Sequence, residues 1–189
     1  MGNDITYLMK EHRVIEIMEK ILVSACLVGA KVRYDGADNY CNNKVFCKWL
    51  SEGRIVMVCP EIASGCSVPR PPVEITGINN GAGIFDGSSK ALTKDGTDVS
   101  GMFILGAKIA LNLALQNNIK IAIFKSKSPS CGSSKIYDGN FTKTIVDGDG
   151  ATVYLLKENG VEVYSEKEIS KVVERLKILE NKNESKKIY

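Results

Sequence analysis

Six cysteines stand against a single histidine in this 189-residue chain. One His excludes a His-rich metal cage and any two-His catalytic device. Three of the cysteines share a setting. Cys26 follows the apolar run Ile21-Leu22-Val23-Ser24-Ala25, and Cys59 follows Arg54-Ile55-Val56-Met57-Val58 and precedes Pro60. Cys131 lies in Ser128-Pro129-Ser130-Cys131-Gly132, downstream of the apolar run Ile119 to Phe124. An isolated Cys of this kind is usually a small buried hydrophobe. Three in equivalent places point to ligands converging from distant parts of the chain. No C-x-x-C pair is present, which argues against a zinc ribbon and a redox dithiol. Iron–sulfur clusters are held by Cys thiolates, in sets of four as a rule. Three thiolates on a cubane leave one iron without a protein ligand, a soft Lewis-acid position suited to a substrate sulfur. Cys41, Cys47 and Cys66 lack that setting and are weaker candidates.

Other reactive side chains lie close to these cysteines in sequence. Glu61, two residues after Cys59, is the best general acid/base. It reads equally well as a helix-start carboxylate or a salt-bridge partner. Asp35, in Arg33-Tyr34-Asp35-Gly36, is either a second carboxylate near the crevice or simply a turn residue. Ser128 and Ser130 flank Pro129 ahead of Cys131; their hydroxyls are suited to a substrate carbonyl, a proton relay or the loop's own backbone. Pro69-Arg70-Pro71-Pro72-Val73-Glu74 is stiff and extended, able to hold Arg70 against an anionic or carbonyl group. His12 is far from all of these and reads as a surface residue.

The elements that must position these groups follow from periodicity. Ile21–Ala25, Arg54–Val58, Ile119–Phe124 and Val161–Tyr164 read as strands, the first three apolar enough for burial on both faces. Helices are expected at Lys44–Ser51 (ended by Gly53) and at Val99–Asn117. Two more are expected at Thr152–Glu158, with Asp149 as cap, and at Ser165–Leu179, with Ser165 and Glu168 as a capping box. A short helix is expected around Val14–Lys20, with Val14, Ile17 and Met18 on one face. Pro60 to Asp98 reads as a loop region, with a short strand and turn at Gly83–Gly87. Alternating strands and helices predict an α/β, Rossmann-like fold: one domain with a doubly wound, mostly parallel sheet. Ligands of such sheets bind beyond the strands' carboxyl ends, where the three cysteines fall. Neither G-x-G-x-x-G nor G-x-x-x-x-G-K-[ST] is present, so dinucleotide and P-loop sites lack their fingerprints. The expected division is a helical extension over 1–20, the α/β domain over 21–180 and a charged tail over 181–189.

Composition bounds the partners. Lys plus Arg number 25 and Asp plus Glu 22, a net charge of +3, too small to argue for nucleic acid or a membrane surface. No apolar run approaches the ~20 residues of a membrane span, and the N-terminus carries acidic residues throughout, unlike a secretory signal. A cytoplasmic chain is expected, with its thiols reduced unless something binds them.

Taken together, several motifs resemble the DUF523 family, whose members include the 2-thiouracil desulfurases. They are Leu22-Val23-Ser24-Ala25-Cys26-Leu27-Val28-Gly29, Val32-Arg33-Tyr34-Asp35-Gly36, Val58-Cys59-Pro60-Glu61, Pro69-Arg70-Pro71-Pro72-Val73-Glu74, Ser128-Pro129-Ser130-Cys131-Gly132 and Gly148-Asp149-Gly150. The resemblance runs from about Ile21 to Glu168. It implies a Rossmann-like domain with a [4Fe-4S] cluster on Cys26, Cys59 and Cys131, whose fourth iron takes the sulfur of a small thiolated nucleobase. The function then expected is non-redox desulfuration of a base such as 2-thiouracil to uracil and sulfide. In it Glu61 or Asp35 activates water, and Ser128 steadies or protonates the ring. The rivals are another sulfur-transfer or C–S lyase reaction at the same cluster, and a cluster- or zinc-binding sensor without turnover.

Overall fold

The computed structural model describes residues 18–77 and 80–185. In chain order the elements are β1 (Ile21–Ser24), α1 (Lys44–Ser51), β2 (Ile55–Val58), α2 (Pro60–Ala63), β3 (Val73–Gly77), α3 (Asn80–Asp86) and β4 (Ser89–Thr93). There follow α4 (Ser100–Gln116), β5 (Ile121–Phe124), β6 (Lys135–Tyr137), β7 (Ile145–Asp147), α5 (Ala151–Glu158), β8 (Glu162–Ser165) and α6 (Ile169–Ser185). A 3-10 turn, Ala25–Val28, continues directly from β1.

The main sheet has the order β2-β1-β5-β8, and every neighbouring pair is parallel. Strand alternation sorts its side chains onto two faces. Ile21, Val23, Ile121 and Ile123 pack with Phe46 and Trp49 of α1 and with Val172 and Leu176 of α6. Leu22, Ala122 and Phe124 pack with Ala110 and Ala114 of α4 and with Val153 and Leu156 of α5. Helices therefore cover both faces, which is why the central strands are uniformly apolar rather than alternating. This is the doubly wound α/β fold expected from the sequence.

Two antiparallel pairs, β3–β4 and β6–β7, lie outside the main sheet. The first is part of a correction: Pro60 to Asp98 is not a long loop but holds α2, β3, α3 and β4. Gly83–Asp86 is helical, not a strand and turn. Gly87 does turn the chain, with φ +81° and open space around it, but Gly81 and Gly83 serve close packing. A Cβ on Gly81 would lie 2.6 Å from the Asp149 carbonyl oxygen, and one on Gly83 would collide with Ser89. Ile75, Ile84 and Ala91 of this region form a third core cluster with Phe103, Ile136 and Ala151.

Helix ends also differ from expectation. The N-cap of α5 is Gly150, with no side-chain cap. Asp149 instead accepts hydrogen bonds from the Ser134 N–H at 2.7 Å and from Lys157 Nζ. Gly150 packs backbone to backbone on the Cys131 loop, since a Cβ there would fall 2.5 Å from the Ser130 carbonyl oxygen. α6 starts at Ile169, not Ser165, and runs to Ser185. Half of the expected capping box is present: Glu168 Oε2 accepts from the Ser165 N–H and Oγ–H. Met18–Lys20 are not helical. His12, Val14, Ile17 and the last residues of the expected tail, 186–189, lie outside the described residues.

Candidate functional site

The chain leaves β1 for β2 on one side and later places β5 on the other side of β1. The strand order reverses there, and that is where open α/β sheets bind ligands. A cavity of about 540 Å3 opens at this point. Cys26, Cys59, Cys131, Glu61 and Ser128 all line it. Asp35 does not.

Each thiol is set by the backbone that follows its strand. Cys26 is in the 3-10 turn after β1, and its carbonyl accepts from the Asn39 N–H at 3.0 Å. Cys59 is the residue between β2 and α2, where Pro60 starts the helix without needing an N–H. Gly106 of α4 lies so close to the Pro60 carbonyl that a Cβ would collide with it, so α4 presses directly on this turn. Cys131 is in a tight loop closed by Ser128, whose Oγ accepts from the Ser130 and Cys131 N–H groups at 3.2 and 3.1 Å. Both bonds use lone pairs of Ser128 Oγ, so its O–H is left to donate. Ser24, 2% exposed, joins the ends of β1 and β5 by accepting from the Lys125 N–H at 3.0 Å.

The thiols sense one another. Burial, then the neighbouring Cys59, pushes the Cys26 thiol up to about 11. Cys131, 6% exposed, is raised by burial first and by Cys59 and Cys26 next. Burial and the nearby Glu61 raise Cys59. All six cysteines are free, and only these three line the cavity. Cys47 Sγ lies 3.5 Å from Tyr40 Oη, and Cys66 Sγ is 4.0 Å from Met102 Sδ.

Glu61 is clamped by Arg70. Arg70 Nε and Nη2 both reach Glu61 Oε2 at 2.8 Å, while Nη1 donates to the Val32 and Ser67 carbonyls at 3.1 Å. The stiff Pro-rich segment thus holds Arg70 as expected, but against a carboxylate of the protein itself. Asp35 belongs to a different pair. Its two oxygens take Arg33 Nε and Nη2 at 3.0 and 2.8 Å, and Oδ1 also caps the Ala37 N–H. The Arg33 bonds, then the Ala37 N–H, hold the Asp35 carboxyl down at about 2.

Other cavity residues carried no distinct signal in the sequence. Lys125, directly after β5, donates to Glu166 Oε1 at 2.7 Å. Asn39 accepts from Arg33 Nη1 at 2.8 Å and hydrogen-bonds Cys26. Lys94, Lys127 and Lys143 line the wall without a carboxylate partner among the described residues. The position of Lys125 at a strand's carboxyl end was the one clue available.

A parallel α/β domain with three cysteines lining one cavity, two of them buried, and a clamped glutamate at its switch point defines a class: a doubly wound protein with a cysteine-lined crevice. The chain belongs to the 2-thiouracil desulfurase family, whose model matches residues 21–168. It is 39% identical over 153 residues to the uncharacterized protein YbbK of Bacillus subtilis (strain 168), covering 81% of this chain and 99% of that one. Among solved structures it is similar to the [4Fe-4S]-dependent thiouracil desulfidase TudS, with 38% identity and a TM-score of 0.77. That match covers 85% of this chain and 99% of the other.

Proposed function

We propose that this protein removes the sulfur of a thiolated nucleobase such as 2-thiouracil by hydrolysis, at a [4Fe-4S] cluster held by Cys26, Cys59 and Cys131. The observation that carries this reading is the convergence of three cysteines on one cavity at the sheet's switch point. No three His, Cys, Asp or Glu among the described residues are arranged to hold a single metal ion. A cluster would be held by Cys26, Cys59 and Cys131, the three cysteines that line the cavity. The cavity wall also suits three thiolates: Arg33, Arg70, Lys94, Lys125, Lys127 and Lys143 outnumber Glu61 and Glu74. When bound, such a cluster supplies a soft Lewis acid at its fourth iron, able to polarise a C=S bond.

The side chains supply the rest. Both Arg70 bonds fall on Glu61 Oε2, which leaves Oε1 to take a proton from the attacking water. Ser128 donates its O–H to a ring heteroatom as the carbon is attacked. Water delivers oxygen to the carbon, the C–S bond breaks, and the sulfur leaves as hydrogen sulfide. No electrons are gained or lost overall. The three unpaired lysines favour a substrate carrying an anionic group, so a nucleoside monophosphate of the thiolated base is a better fit than the base alone.

The test is anaerobic reconstitution followed by assay of uracil, sulfide and iron, with the free base and its nucleoside monophosphate compared. Turnover proportional to bound iron supports the reading. Full turnover in an iron-free preparation overturns the cluster, and cluster binding without any desulfuration leaves the sensor.

A further inference from the structure

The β6–β7 hairpin forms the outer wall of the cavity through Tyr137, Phe141 and Lys143. Its connecting loop is held by a carboxylate from outside the hairpin. Glu74 of β3, 8% exposed, accepts on Oε2 from the N–H groups of Gly139 and Phe141, both at 3.0 Å. The loop backbone lies directly on β3, since a Cβ on Gly139 would fall 2.5 Å from the Ile75 carbonyl oxygen. Asp138 braces the loop from within by accepting from the Asn140 N–H at 3.0 Å.

Phe141 is the unusual residue in this arrangement. Its φ is +57°, a left-handed backbone that a bulky side chain seldom adopts and that persists only where surrounding contacts enforce it. Folded chains usually recover that cost by packing the ring. Yet Phe141 is not among the hydrophobic side chains packed against the three core clusters of the described residues. Nor does it make an aromatic pair among them; Phe85 pairs with Tyr154 instead. A half-buried aromatic residue that lines the cavity on an enforced backbone is preorganised for a ligand.

We infer that Phe141 is the stacking face for the substrate's heterocyclic ring, and that Glu74 is the positioning residue that holds it over the cavity. This rests on the heterocyclic substrate proposed above. A planar unsaturated ring gains from an aromatic face beyond simple burial, and stacking of this kind tolerates different bases. Recognition by stacking leaves the thione edge to the cluster side of the cavity.

The experiment measures equilibrium binding of uracil, 2-thiouracil and their nucleoside monophosphates to the reconstituted holoprotein, with amide hydrogen exchange of residues 138–144 alongside. Phe141→Leu keeps a Cβ and apolar bulk but loses the ring face, and should weaken these ligands about tenfold or more. Phe141→Tyr should bind within a few-fold of the parent. Glu74→Ala should speed exchange of the Gly139 and Phe141 amides and weaken binding. Glu74→Gln, which retains an acceptor oxygen, should recover much of the loss. The double variant Glu74→Ala/Phe141→Leu should bind no worse than Phe141→Leu, because both act through one ring.

Equal binding by Phe141→Leu and the parent overturns the stacking role. Additive losses in the double variant, or unchanged loop exchange in Glu74→Ala, overturn the positioning role and cover the case of a general folding defect. Failure of the parent to bind either base or either nucleoside monophosphate overturns the inference and the substrate together. Heterocycle binding that follows the expected pattern without sulfide release removes only the desulfuration reaction.

Discussion

Glu61 and Asp35 look alike in the sequence, two carboxylates close to cysteine-bearing loops, and the structure separates them. Asp35 spends both oxygens on Arg33 and its turn, and its carboxyl is held at about 2. A base that weak does little to activate water near neutral pH, because efficiency in proton transfer rises as the pKa approaches the working pH. Asp35→Asn should therefore keep kcat within a few-fold, with any loss appearing in KM through a loosened Arg33. Glu61→Gln should keep its iron and lower kcat by roughly a hundredfold or more, the usual range for a general base. The sign of the pH effect also differs. Asp35 has a depressed folded pKa, so its contribution to stability is present above the ordinary carboxylate range and is lost as pH falls toward 2. No limb of a rate profile near neutrality belongs to it. Steady-state kinetics of the two variants across pH checks both statements; a large kcat loss in Asp35→Asn would reverse the assignment. Cys59, Cys131, Glu61, Ser128 and Arg70 stood out because each sits in a short motif with Gly or Pro beside it, and Cys26 because it directly follows an apolar run. Lys125 and Glu74 did not, because their partners lie far away in sequence: Glu166 for Lys125, Gly139 and Phe141 for Glu74.

The glycines of α4 show how an element positions the site. Gly101 has nothing within 4 Å of where a Cβ would stand, whereas a Cβ on Gly106 would meet the Pro60 carbonyl. Gly→Ala at an unobstructed helical position stabilises by about 0.4–1 kcal/mol. At an obstructed one, overpacking costs typically ~1–3 kcal/mol. Gly101→Ala should therefore raise the melting temperature, and Gly106→Ala should lower it, by roughly 2–4 °C per kcal/mol at this chain length. Gly106→Ala should also reduce iron retention, since α2 would be displaced together with Cys59 and Glu61. Thermal melting and iron analysis of the pair test this, and equal effects from both would refute the packing account. The same distinction explains what the sequence showed of the elements. α1, α4 and the buried strands announced themselves because their apolar patterns repeat over a full face. The region from α2 to β4 did not. Its short elements are joined by Gly and Pro, and Gly65 and Gly87 serve turns while Gly77, Gly81 and Gly83 serve close approach, a difference that only the partner atoms reveal.

At the scale of the molecule, the three cavity thiols tie together the ends of β1, β2 and β5, whose residues are up to 105 positions apart in the chain (131 − 26). A cluster bound across them would cross-link the centre of the sheet to its edge strand β2. Metal binding to a site formed only in the folded state adds its free energy to folding. The apoprotein should therefore melt below the reconstituted protein, and chelation of iron should remove the difference. The cysteines should divide sharply in the same measurement. Cys26→Ser, Cys59→Ser and Cys131→Ser remove a ligand, so each should cut bound iron and abolish the holo–apo difference in melting temperature. Cys41, Cys47 and Cys66 do not line the cavity. Serine at those positions should leave iron content and the holo–apo difference near those of the parent, with at most a small shift in the apoprotein itself. The discriminating quantity is the holo–apo difference, not the absolute stability, because burial makes any substitution at Cys26 or Cys131 costly to the apoprotein as well. A retained difference in any one of the three cavity variants would exclude that cysteine as a ligand, and loss of it in Cys41→Ser, Cys47→Ser or Cys66→Ser would place a ligand outside the switch point.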